Sequence, residues 1–194
     1  MSLRWRPALL AAVLTGSVAC SPHPQAYRSE PLDGAWRIAV IPFANYTEER
    51  AAPEQLLPMV LVELTRHPGL SIVEPGRVEA VLDQEPWLLF DRIPPDLLDR
   101  FGEEMGADAL LVGSVLAYGH REGAAGQVPE VSMALRLVEA PGGKILWSAV
   151  HSRDGEDAES VFGIGREESM SRLARETVHE IMETFPPVSG KEAP

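Results

Sequence analysis

The order of apolar segments predicts an α/β domain. It is a two-layer sandwich on a mixed sheet, with a parallel βαβ start, an antiparallel three-stranded meander, packed helices and a long C-terminal helix. Three observations carry this. Residues 37–43 and 107–118 are compact apolar runs of the kind that form fully buried central strands. Residues 131–138 alternate, with Val131, Met133, Leu135 and Leu137 on one face and Ser132, Ala134 and Arg136 on the other. Residues 53–66 and 158–185 carry apolar side chains at helical spacing.

The elements follow in chain order. The run RIAVIPF at 37–43 is too short for a helix, and Pro42 stops its ladder. In 53–66, Leu56, Leu57, Val60, Leu61 and Leu64 share a face, and either Pro53 or Pro58 opens the helix. His67-Pro68-Gly69 ends it, and 70–73 is a second strand, parallel to the first because a helix connects them. A short helix follows at 76–82, with Val78, Val81 and Leu82 inward. Residues 86–95 break the pattern. Asp96 reads as the cap of a helix over 96–105, with Leu97, Leu98 and Phe101 inward and Gly106 as its stop. The run at 107–118 is a central strand, 119–129 a turn-rich loop, and Ala140-Pro141-Gly142-Gly143 a tight turn between the strands at 131–138 and 144–152. In the last helix Met170, Leu173, Thr177, Ile181 and Phe185 form the buried stripe.

Composition limits the function classes. The chain of 194 residues is 45% hydrophobic and 24% charged, which suits one folded domain. Its formal charge of −12 argues against nucleic acid, which needs a basic stripe, and against electrostatic docking on anionic lipid. One cysteine excludes an internal disulfide framework. No histidine pair stands at metalloprotease spacing, and neither a phosphate loop nor a Gly-x-Ser-x-Gly elbow is present. Glu103-Glu104 and Glu167-Glu168 are neighbours on helices and do not face each other as acid and base. His120 and His151 flank the meander and read as surface histidines. No catalytic residue, cofactor site or metal site is expected.

The N-terminus has the order of an export signal: Arg4 and Arg6, an apolar run at 8–14, then small residues up to Cys20. It resembles a bacterial lipoprotein signal, although Ser17 stands where that family prefers Leu. The resemblance implies removal of residues 1–19, acyl chains on Cys20, and, from Ser21, sorting to the periplasmic face of the outer membrane. Cleavage takes two arginines and no acid, leaving a charge of −14. Residues 20–35 then read as the lipidated cysteine and a flexible tether, 36–186 as the domain, and 187–194 as a flexible tail.

Four motifs resemble envelope lipoproteins of the CsgG, LpoB and TolB-N-terminal-domain group. They are the strand ending in Pro-Phe (IAVIPFAN, 38–45), the strand ending in Val-Glu (LSIVE, 70–74), the segment GADALLVGSV (106–115), and the hairpin LVEAPGGKILWS (137–148) with Trp147 on its return strand. That resemblance implies a non-enzymatic accessory, regulatory or assembly factor of a cell-envelope machine, with a protein partner and room for a homo-oligomer. The alternative within the group is a subunit of an oligomeric secretion pore. The loops at 119–129 and 141–143 read as too short for the extra membrane strands of that class.

Two segments are candidate partner contacts. Trp87, Leu88, Leu89 and Phe90 lie in an irregular connection, where they either close one end of the core or form an exposed patch. Asn45 and Tyr46 begin the polar loop at the C-terminal end of a parallel strand, where α/β sheets usually place binding sites.

Overall fold

The computed structural model describes residues 22–84, 93–123, 126–157 and 169–189. The signal segment, Cys20, Trp87, Leu88, Leu89 and Phe90, the first part of the expected last helix, and residues 190–194 lie outside them.

A seven-stranded mixed sheet organises the chain. Its strands are β1 (Gln25–Arg28), β3 (Trp36–Val40), β4 (Ala44–Asn45), β5 (Leu70–Ile72), β6 (Ala109–Gly123), β7 (Gly126–Glu139) and β8 (Ile145–Asp154). They run in the order β1-β8-β7-β6-β3-β5, and β4 also pairs with β6. As expected, β3 is parallel to β5, and β6, β7 and β8 form an antiparallel meander; β3 is also parallel to β6. A separate parallel pair joins β2 (Leu32–Asp33) to β9 (Val188–Ser189).

Helices pack on both faces of the sheet. On one face lie α1 (Ala52–Leu64) and α4 (Met170–Glu183). Ala52, Leu56, Val60 and Leu64 recur every fourth residue and are fully buried against Ile38, Leu111, Leu135 and Trp147. Pro53 sits in the first turn of α1, and Pro58 lies inside the helix, which settles which proline opens it. Leu173, Thr177, Val178 and Ile181 are the inward residues of α4. On the opposite face, α2 (Pro75–Leu82) and α3 (Pro95–Met105) bury Val78, Leu98 and Phe101 against Ala39, Ile41, Leu110 and Val112. Gly113 faces α1. A Cβ there would meet Leu135 at 2.6 Å and Phe43 at 2.9 Å, so only glycine lets these two side chains close over the strand.

Several expectations need correction. Residues 25–28, read as tether, form β1, which pairs with β8 through the register Gln25↔Val150 to Arg28↔Trp147. Leu32 is buried in β2, and Leu32 N–H donates to the Pro187 carbonyl at 3.0 Å, so the start of the expected tail is hydrogen-bonded too. Residues 119–129, read as a loop, continue β6 and β7 to the pair Gly123↔Gly126. Their glycines and Pro129 suggest a turn, yet the paired backbones carry the ladder through them. Asp96 is not the cap of α3. Pro94 holds that position, Pro95 enters the first turn, and Asp96 lies inside that turn, where its charge suits the positive end of the helix. Gly106 does end α3, in the left-handed conformation at φ 63°. In α4 the described helix begins at Met170, and the Ser169 hydroxyl accepts from the Arg172 N–H.

Candidate functional site

The segment following β3 builds a small cleft. β4 pairs with β6 (Asn45↔Val115), and the Tyr46 N–H donates to the Val115 carbonyl at 2.9 Å. Asn45 then folds the loop on itself. Its Oδ1 accepts from the Thr47 N–H at 3.0 Å and the Thr47 hydroxyl at 2.8 Å, and its Nδ2 donates to the Glu49 carbonyl at 2.9 Å. The Glu49 carboxylate accepts from the Ala51 N–H at 3.0 Å at the entrance to α1. Asn45 therefore shapes the loop, while Tyr46 stands out from it, 58% exposed.

The opposite wall comes from the meander. The register between β6 and β7 shifts between Val115 and Ala117, so Leu116 is the extra residue of a bulge. It leaves the sheet and is 43% exposed. Beyond the bulge Tyr118 returns to the helix side, and its hydroxyl donates to Gln55 Oε1 at 2.7 Å. Burial first, and then the nearby Glu49 charge, push the Tyr118 phenol above its ordinary range. Tyr46, Glu48, Glu49, Leu116, His120 and Glu130 line the resulting cleft of 480 Å³. Glu48 and Glu130 belong to it without a cation partner among the described residues.

Sequence reasoning put both Asn45 and Tyr46 on a loop after a parallel strand; Tyr46 does lie there, but Asn45 ends β4, paired with Val115 of β6. The same reasoning missed Leu116 and Glu130, which only strand pairing brings near Tyr46. Nothing in the run 107–118 marks the bulge, since Leu110, Leu111 and Val112 are as consecutively apolar as Val115 and Leu116 and pair without one. His120 is exposed on the cleft wall, but His151 is not a surface residue. Its ring faces α4 and lies 2.5 Å from Glu180 Oε2. Arg153, two residues on, pairs with Glu180 at 2.9 Å and Glu176 at 3.1 Å.

A second depression of 610 Å³ lies on the sheet face away from α1 and α4. It is lined by Tyr27, Ser114, Ala134, Arg136, Ser148 and Val150. Among the described residues no group of three or more His, Cys, Asp or Glu could hold a metal ion, and no helix is long and apolar enough to cross a membrane.

No family model matches the chain, and no curated protein matches it in sequence. Solved structures do match. The PelC dodecamer from Paraburkholderia phytofirmans shares 19% identity over 84% of this chain and 96% of that one, with a TM-score of 0.58. Lipoprotein GNA1162 from Neisseria meningitidis shares 23% over 76% and 99%, with a TM-score of 0.56. The LpoB C-terminal domain from Escherichia coli is more remote, with 13% identity over 64% and 87% and a TM-score of 0.46. The chain thus has the α/β fold of PelC and of lipoprotein GNA1162.

Proposed function

We propose that the chain is a lipoprotein held through Cys20 on the periplasmic face of the outer membrane. There it serves as a non-enzymatic accessory, regulatory or assembly factor of a cell-envelope machine. The observation that carries this reading is the likeness to lipoprotein GNA1162 across 99% of that chain, in a protein whose own N-terminus ends a signal-like segment at its single cysteine. The acidic charge supports anchoring by acyl chains rather than by electrostatic attraction to anionic lipid. Tyr46 and Leu116 support binding as the task, since exposed large apolar side chains concentrate interaction energy.

The test is labelled palmitate fed to cells carrying the full-length protein, followed by separation of inner and outer membranes. Label in the outer-membrane fraction, absent from Cys20→Ala, is the expected result. Unlabelled protein in the soluble periplasm overturns the anchor.

A second reading, a subunit of a homo-oligomeric ring or pore, is favoured by the likeness to a protein that forms a dodecamer. Light scattering on detergent-extracted full-length protein separates the two. A monomer or dimer supports the accessory module, and a large closed assembly supports the ring.

A further inference from the structure

The cleft between the Tyr46 loop and the β6–β7 bulge joins an apolar floor to an unneutralised acidic rim. Tyr46 and Leu116, two of the few large apolar side chains exposed on the described surface, both line it. Around them stand Glu48, Glu49 and Glu130, and no cation pairs with any of the three among the described residues. The loop is not loose. Asn45, Thr47 and Glu49 hold it by five hydrogen bonds to its own backbone and side chains, so Tyr46 is presented from a fixed support. β4 beside it has β6 on one side and no strand on the other among the described residues.

An apolar pair flanked by three carboxylates asks for a partner that is apolar at its centre and cationic at its edges. The geometry points to this cleft as the docking site for a short extended segment of a protein partner, with a Leu- or aromatic-type anchor between Tyr46 and Leu116 and Lys or Arg side chains against Glu48, Glu49 and Glu130. This inference rests on the binding-module reading above and names its surface and the chemistry of its partner. Charge complementarity decides against the other occupants. A second copy, with a formal charge of −14 once residues 1–19 are removed, or an anionic lipid surface would meet the rim with like charge.

The experiment uses the full chain in detergent and a fluorescein-labelled nine-residue peptide of alternating Lys and Leu. Its acidic counterpart, with Glu for Lys, is the control. Fluorescence anisotropy is read for wild type, Tyr46→Ala, and Glu48→Gln/Glu130→Gln. A further variant, Glu79→Gln/Glu103→Gln, removes the same charge from exposed positions on α2 and α3. The expected result is binding of the basic peptide alone, weakened at least about tenfold by each cleft variant and less than about twofold by the distant one. Equal weakening by both charge variants, or no effect of Tyr46→Ala, overturns the cleft and leaves only a general attraction to an acidic protein. Circular dichroism of each variant shows that the fold is retained. Failure of the peptide leaves palmitate labelling and native mass unchanged, so loss of this inference is distinguishable from loss of the accessory-factor reading.

Discussion

His151 and Glu180 meet across the interface between β8 and α4, with 2.5 Å between Nε2 and Oε2 and the histidine side chain only 1% exposed. This buried polar contact, extended by Arg153 to Glu176, holds the last helix against the meander at a point where apolar packing gives way to charge. Removing one partner of such a pair leaves the other desolvated and unsatisfied. Glu180→Ala is therefore expected to lower stability by about 1–3 kcal/mol, and Glu180→Gln, which keeps an acceptor, by less. Urea unfolding followed by circular dichroism measures both. Equal midpoints for Glu180→Ala and wild type would show that the contact contributes nothing.

Gly113 is held to glycine by space rather than by backbone angle. A Cβ there lies 2.6 Å from Leu135 and 2.9 Å from Phe43, and 3.1 Å from the Ala134 carbonyl, which cannot swing away as a side-chain tip can. Gly113→Ala should cost about 1–3 kcal/mol through overpacking of the strand face. The readout is the same unfolding midpoint, and a stabilised variant would refute the account.

Trp147 is fully buried, with its Nε1–H donating to the Thr184 hydroxyl at 3.1 Å and its ring 5.2 Å from that of Phe185. Trp147→Ala should cost about 3–5 kcal/mol, among the largest losses of any single substitution here. Trp147→Phe should cost less, because it keeps most of the apolar volume and loses one hydrogen bond. Thermal unfolding of the pair checks the order.

His67 gives a pH dependence with a definite sign. Burial beside Phe185, 5.0 Å away, lowers its pKa below 6.5, against a smaller opposing pull from Glu63. Above 6.5 the ring is neutral both folded and unfolded. As pH falls through 6.5 the unfolded chain takes up the proton first, so stability declines until the lowered folded pKa is passed. His67→Gln should flatten that part of the stability profile. Chemical unfolding at half-unit steps between about pH 5 and 7.5 shows whether the slope is lost, and an unchanged slope assigns it to another group.

The parts of this fold legible in the sequence are those where side-chain pattern and backbone pairing agree. The apolar runs of β3 and β6, the alternation of β7 and the fourfold stripe of α1 all report buried faces directly. β1 could not be read that way. Its four residues, Gln25 to Arg28, are all exposed, and backbone bonds to β8 define it rather than any hydrophobic face. The β2–β9 pair joins residues more than 150 positions apart through two positions each, too little sequence to carry a period. The burial of His151 was hidden for a related reason, since its partners come from a helix 29 residues on. Of the cleft, the half on the Tyr46 loop follows from a rule about strand ends. The half on the bulge depends on a one-residue slip in pairing that a continuous apolar run does not mark.

The place where β1 begins has a consequence for where this molecule can work. With Cys20 acylated as proposed, five residue steps separate the anchor from Gln25, the first residue hydrogen-bonded into the sheet. Fully stretched, they reach no more than about 18 Å. Under that proposal, a mooring this short keeps the domain close against the membrane that holds the anchor. Whatever it binds must come within that thin layer to be met, because the domain itself cannot travel toward the cell wall.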